Sequence, residues 1–311
     1  MPDKFSIAFY NLENFFDTID DPKTADNPFT PKGFMHWIKK RYFNKAKKIG
    51  YVIGEIGKQE TGRPPLLIGL GEVENKKVLH DLLQSKYLKN IPYAYVHFDS
   101  KDRRGMDVAL LYHKETVQVH QAQTYPLVLY TNQGKAYDTR DILYVEATIF
   151  GVKIYLLINH WPSRREGDFE SDFKRLQAAR LLQKIIDQIA YEEMDARIII
   201  MGDFNTDPTD KHIQAEIVGK RFFNPLQANL TRNTGSLNHQ GVWHLFDQIL
   251  LTHNFKKLPI KFSQAHIFKP KYLKVWHGKA KNTPFRTYKG RQYQGGYSDH
   301  FPVYTLFDVL K

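Results

Sequence analysis

The sequence predicts an α/β protein in which two β-sheets pack against each other and carry helices on their outer sides. Three features predict it. Short apolar runs recur along all 311 residues. Several of them, such as Ile198-Ile199-Ile200, are continuous rather than alternating, which marks strands covered on both faces. Hairpin-like strand pairs are too frequent for a wheel of βαβ units. No internal repeat, low-complexity tract or linker interrupts the chain, so residues 1–311 read as one domain. A hydrophobic fraction of 42% is enough for its core.

In chain order, the strands are expected at 6–10, 66–70, 94–98, 107–112, 142–150, 153–158, 197–201, 245–251 and 302–307. Three helices fall between them. A basic amphipathic helix is expected over 37–57. A second is capped by Asn75 and carries Val78, Leu79, Leu82 and Leu83 on one face. A third is capped by Ser171 and runs to about Tyr191, with Phe173, Leu176, Ile185, Ile186 and Ile189 inward. The Asp-, Pro- and Thr-rich stretch 20–32 reads as an extended loop.

Composition removes several functional classes. There is no cysteine, which excludes disulfides, thiolate metal sites and cysteine nucleophiles. No stretch approaches the ~18 apolar residues of a membrane span. The first residues read as a strand rather than a signal peptide. The expectation is a soluble monomer without stable membrane insertion, cytoplasmic unless a leader has been removed. The net charge of +12 points to polyanionic partners.

The polar residues of interest share a position, because each sits where an apolar strand ends or begins. Asn11 and Glu13 follow the first strand, and Glu72 and Glu74 the second. Asn159 and His160 follow Tyr155–Ile158 in sequence, and Asp203 and Asn205 follow Ile198–Gly202. Asp247 lies in the strand near 245–251, and Asp299 and His300 precede the last strand. Each has a bland explanation as a turn residue, a cap or a solvated acid. Six such sites at strand ends are poorly explained one by one. Gathered on one edge, they would make a hard-cation site with acid and base groups beside it.

The motifs carrying these residues occur in order. They are Asn-Leu-Glu-Asn at 11–14, Gly-Leu-Gly-Glu-Val-Glu-Asn at 69–75, Asn-His-Trp-Pro-Ser at 159–163, Met-Gly-Asp-Phe-Asn at 201–205, Phe-Asp-Gln-Ile at 246–249 and Ser-Asp-His-Phe-Pro-Val at 298–303. Together they resemble the endonuclease/exonuclease/phosphatase superfamily, whose members include pancreatic deoxyribonuclease, abasic-site endonucleases, neutral sphingomyelinases and inositol polyphosphate phosphatases. The resemblance implies a four-layer α/β/β/α sandwich of two mixed, mainly antiparallel sheets. It implies Glu72 as the principal Mg²⁺ ligand (Mn²⁺ substituting), helped by Asn11 and Asp299. Asp203 would orient and deprotonate the attacking water, and Asn205 would position the phosphate or a second ion. Asp247 would orient His300, and His300 and His160 would stabilise the charge that develops.

The sequence departs from that pattern in two places. Gly71 stands where a glutamine usually precedes the metal-binding glutamate, which leaves Glu74 as a rival ligand. Arg103-Arg104-Gly105-Met106-Asp107 stands where many members have an asparagine, so Asp107 either replaces it or pairs with an arginine. Arg104 and Arg164 are candidate phosphate clamps.

Between Asp247 and Asp299 there is no acidic residue, against eleven Lys and Arg interleaved with Tyr272, Trp276, Phe285, Tyr288 and Tyr293. A one-sided segment tethered at both ends to a phosphate site reads as a substrate arm, with Lys274, Lys279 and Arg291 as phosphate contacts. The leading expectation is therefore a nuclease acting on DNA. The alternatives are a phosphodiesterase or phosphatase of lipid or small-molecule phosphates and, from another class, a non-catalytic phosphate-binding module.

Overall fold

The structure is a computed structural model that describes residues 3–131, 133–163, 168–219 and 221–310. Its sheet strands are β1 (Asp3–Phe15), β2 (Leu67–Val73), β3 (Tyr93–His97), β4 (Asp107–His113), β5 (Val117–Tyr125), β6 (Ile142–Ile149), β7 (Val152–His160), β8 (Ile198–Asp203), β9 (Phe222–Phe223), β10 (Asp247–Thr252), β11 (Ile260–Ile267) and β12 (Val303–Val309). The main helices are α1 (Lys39–Glu55), α2 (Lys76–Leu83) and α3 (Asp168–Glu192).

The strands form two six-stranded sheets, ordered β11-β12-β1-β2-β4-β3 and β9-β10-β8-β7-β6-β5. Each sheet has one parallel pair, β1/β2 in the first and β7/β8 in the second. Every other pairing is antiparallel. Both parallel pairs lie at the sheet centres, where both faces are covered.

The run Ile198-Ile199-Ile200 shows how the layers divide. Ile198 and Ile200 pack with Ala178, Ala179, Leu182, Ile186 and Ile189 of α3 on the outer side. Ile199 and Met201 face the other sheet. That alternation is the period-2 pleat read on a strand buried on both sides. Gly69 sets the separation of the sheets, because a Cβ there would meet Met201 Sδ at 2.6 Å. On the far side of the first sheet, α1 and α2 bury Ile49, Val52, Ile53, Val78, Leu79 and Leu82. The result is the four-layer α/β/β/α order.

Asn75 caps α2 as expected, accepting a hydrogen bond from the Val78 amide at 3.1 Å. Helix α3 differs from expectation in two respects. It begins at Asp168, so Ser171 lies inside the helix instead of capping it. Phe173 is exposed, because the inward stripe runs through Ala178, Leu182, Ile185 and Ile189 and Phe173 falls off it. Among the described residues, no helix is long and apolar enough to cross a membrane.

Candidate active site at the strand ends

Asp203 is the hub of the strand-end cluster. It closes β8, and pairing in register places it opposite His160 of β7 on one side and Asp247 of β10 on the other. The side chain is buried. Its Oδ2 accepts a hydrogen bond from Asn11 Nδ2 at 3.0 Å, so an amide on β1 of the other sheet reaches across the sandwich. Its Oδ1 accepts from the Asn205 amide at 2.9 Å, in a turn where Asn205 has φ 50°. The Asn205 side chain donates to the Trp161 carbonyl at 2.9 Å, which joins the turns after β7 and β8.

Two histidines flank the same oxygen. His160 Nε2 is 3.6 Å and His300 Nε2 is 3.9 Å from Asp203 Oδ2. His300 Nδ1 donates to Asp247 Oδ2 at 2.6 Å, and Asp247 is itself fully buried. The strand ends thus bring Asn11, His160, Asp203, Asn205, Asp247 and His300 into one cluster.

Burial disfavours the charged form of every group here. For His300 the charge and hydrogen bond of Asp247, aided by Asp203 and Asp299, outweigh burial and hold the imidazole pKa well above 6.5. For His160, burial is reinforced by Arg140, Arg104 and His300, and the pKa falls well below 6.5. Burial raises Asp203 to about 6, with His300 opposing and Asp247 adding to the rise.

The candidate metal ligands lie beside this cluster. Glu72, one residue before the end of β2, has φ 60°, and its Oε2 accepts from the Asn14 amide at 2.6 Å. Asp299 Oδ1 lies 4.0 Å from His300 Nε2. Asn11 Oδ1 accepts from the Glu13 amide at 3.0 Å. Carboxylate and amide oxygens of this kind suit a hard divalent cation. Asp203, Asp247 and His300 also form one of two clusters, among the described residues, whose ligand atoms all lie within 4.8 Å of one another.

Gly71 has a packing reason. A Cβ there would stand 3.2 Å from the Phe9 ring and 3.6 Å from His160 Nδ1. Glu74 points to the 17–26 loop instead, where its Oε2 accepts from the Asp17 amide and Asp17, Asp26 and Asp21 surround it. Among the described residues, no arginine pairs with Asp107. Asp107 accepts from the Ser100 amide and stands 3.4 Å from His97.

The basic residues are more dispersed. Arg104 leans on Asp102 at 3.5 Å, and its charge is among those that hold His160 neutral. Lys279 is exposed, Lys274 is half-buried, and Arg291 lies over the exposed ring of Phe34 at 4.8 Å. Arg164 lies outside the described residues.

Sequence reasoning missed the contact that joins the basic segment to the site. Arg286 Nη2 donates to Asp299 Oδ2 at 2.7 Å, and its Nε donates to Glu13 Oε1 at 3.3 Å. Buried Lys45 donates to the Glu13 carbonyl and, at 2.7 Å, to Thr287 Oγ1. Lys45 had a signal, since it falls on the apolar stripe of α1 between Tyr42 and Ile49. A cavity of about 200 Å³ opens beside Arg286, lined also by Asn14, Phe29, Met35 and Tyr288. A second missed group is Arg140, buried against Asp102 at 3.2 Å and donating to the Trp161 carbonyl at 3.1 Å. No local pattern marked it.

Comparison with solved structures finds the same fold. An endonuclease/exonuclease/phosphatase family protein from Bacteroides thetaiotaomicron is similar with a TM-score of 0.60 and 16% identity, over 99% of this chain and 98% of that one. A mannosyl-6-phosphatase, Bt3783, from the same species gives 0.60 and 15%, over 97% and 99%. TDP2 of D. rerio, complexed with a single-strand DNA product, gives 0.59 and 15%, over 98% and 99%. No curated protein matches the chain significantly in sequence. The Endonuclease/Exonuclease/phosphatase family model matches residues 6–308, and the chain therefore belongs to that family, whose enzymes are divalent-metal-dependent phosphoesterase hydrolases.

Proposed function

We propose that this chain is a Mg²⁺-dependent phosphodiesterase that cleaves nucleic acid, with DNA as the preferred substrate. The observation that carries the reaction type is Asp203 held between a cationic and a neutral histidine. Above about pH 6 its carboxylate is ionised and can take the proton of a water that attacks phosphorus in line. As the new P–O bond forms, the bond to the leaving oxygen breaks. His300, fixed by Asp247, presents an N–H and a positive charge to the oxygens that become more anionic. His160 adds a polar contact without further charge. Glu72, Asn11 and Asp299 would hold Mg²⁺, which supplies neutralisation of the phosphate when bound.

The substrate assignment rests on the basic segment and on Arg286, which brings that segment to the site edge. The similarity to TDP2 supports nucleic acid, and the equal similarity to a mannosyl-6-phosphatase keeps sugar phosphates as the second reading. A panel with Mg²⁺ or Mn²⁺ tests both: single-stranded and duplex DNA, abasic duplex, RNA, sphingomyelin, and inositol and sugar phosphates. DNA should be cleaved fastest. Turnover of sugar phosphate without DNA cleavage would overturn the assignment. Neutralising Lys274, Lys279, Lys281 and Arg291 together should flatten the salt dependence of DNA binding, by a slope of up to about 0.9 per lost phosphate contact.

A further inference from the structure

One strand over from Glu72, β3 ends at His97 and β4 begins at Asp107, which pairs with Val73, and the loop between them carries Asp99. One ligand atom from each of these three side chains lies within 4.8 Å of the others. His97 is buried, and neither ring nitrogen makes a hydrogen bond. A buried imidazole without partners is costly and calls for a ligand. Its Nε2 is 3.4 Å from Asp107 Oδ2, and its Nδ1 is 3.8 Å from Asp99 Oδ1.

We propose that His97, Asp99 and Asp107 form a second divalent-cation site, distinct from the strand-end site, that takes a first-row ion of the Zn²⁺ type. Two ligands each about 2.1 Å from a tetrahedral ion stand roughly 3.4 Å apart, the separation of Nε2 and Oδ2 found here. Asp107 is pre-oriented, since its Oδ1 accepts from the Ser100 amide at 3.1 Å while Oδ2 faces His97. One ion takes one ring nitrogen, so an ion on Nε2 with Asp107 would draw Asp99 round from the Nδ1 side, which its exposed side chain leaves room to do. One imidazole among two carboxylates favours Zn²⁺ over Mg²⁺, whose preference is for oxygen alone.

The position gives the site a purpose. The same loop carries Asp102, which pairs with buried Arg140, and Arg104, which leans on Asp102. An ion at the loop's base would tie both arginines in place beside His160.

The test is calorimetric titration of the full chain with Zn²⁺ in excess Mg²⁺, together with thermal unfolding. Wild type and Asp203→Asn should each bind one Zn²⁺ at this site and gain Tm on binding. Asp99→Asn, at an exposed position that does not threaten folding, should bind it on the order of 100-fold more weakly and lose the Tm gain. His97→Gln should do the same. Wild type that fails to bind Zn²⁺, or binding unchanged in both variants, overturns the site. So does binding lost in Asp203→Asn and kept in Asp99→Asn, which would place the ion at the strand ends.

Discussion

The two flanks of Asp203 are built from the same side-chain type and reach opposite charge states. His160 is buried, His300 is mostly buried, and both stand within 4 Å of Asp203 Oδ2. One faces Asp247, Asp203 and Asp299 and is held as a cation. The other faces Arg140, Arg104 and His300 and is held neutral. Burial works against charge in both cases, so the sign of the neighbours decides. A phosphoester site gains from this asymmetry. It keeps one fixed positive charge for the transition state and avoids a second that would pair with the base and weaken it.

The largest expected effect comes from the residue between the flanks. Asp203→Asn keeps the shape but removes the base, and Mg²⁺-dependent cleavage of DNA should fall on the order of 10⁴-fold with circular dichroism unchanged. Retained activity would mean that neither flank serves a catalytic carboxylate. Next is Asp247→Asn, which removes the nearest charge on the His300 flank. Turnover should fall on the order of 10³-fold. The ¹⁵N shifts of His300 should move towards the neutral imidazole at pH 7 while those of His160 stay put. A His300 that remains cationic would break the comparison.

The other flank is tested through stability. Asp102 and Arg140 are both almost fully buried and 3.2 Å apart. Asp102→Ala strands the guanidinium, which should cost about 3–5 kcal/mol in urea unfolding. Double replacement with Arg140→Met should recover part of that loss, since the fully buried guanidinium is then gone and only the more exposed Arg104 has lost a partner. If Asp102→Ala is neutral, the arginine flank is solvated and the account of His160 fails.

These residues differ in how far the sequence revealed them. The central strands were legible, because a strand covered on both faces must be apolar throughout, as Ile198-Ile199-Ile200 is. The edge strand β3 was also legible, at 94–98, but the edge strands β5 and β11 were not. β5 and β11 have partly exposed faces, carry Gln, His, Lys and Ser, and contain register shifts near Val119/Gln121 and Phe262/Gln264. The strand-end residues were legible as motifs, because turns after β1, β7 and β8 need particular residues close to each strand. Arg140 and Arg286 were not, and Lys45 showed only as a cation on the apolar stripe of α1, with no sign of its partner. Their partners lie far away in sequence: Trp161 for Arg140, Thr287 for Lys45, Glu13 for Arg286. Long-range charge pairing leaves no periodic trace in a single chain.

The smallest expected effect extends the rule to a carboxylate whose shift comes from burial and from neighbouring acids. Asp141 is half-buried, and its pKa is raised above 3.8 by burial first and then by Asp107 and Asp138, with hydrogen bonds from Thr124 and the Leu127 amide opposing. A carboxyl group with a raised pKa in the folded state contributes its stability below pH 3.8. It loses that contribution as pH rises through the folded-state value, because the unfolded chain releases the proton more readily. Asn carries no such pH term and keeps an acceptor oxygen for Thr124 and Leu127. Asp141→Asn should therefore raise Tm at pH 7, and the gain should shrink towards zero below pH 3.8. A gain independent of pH would mean that something other than charge burial is relieved. A loss of Tm at pH 7 would mean that the two hydrogen bonds to the carboxylate outweigh its desolvation, reversing the order of causes that makes Asp141 the counterpart of Asp203 without a histidine.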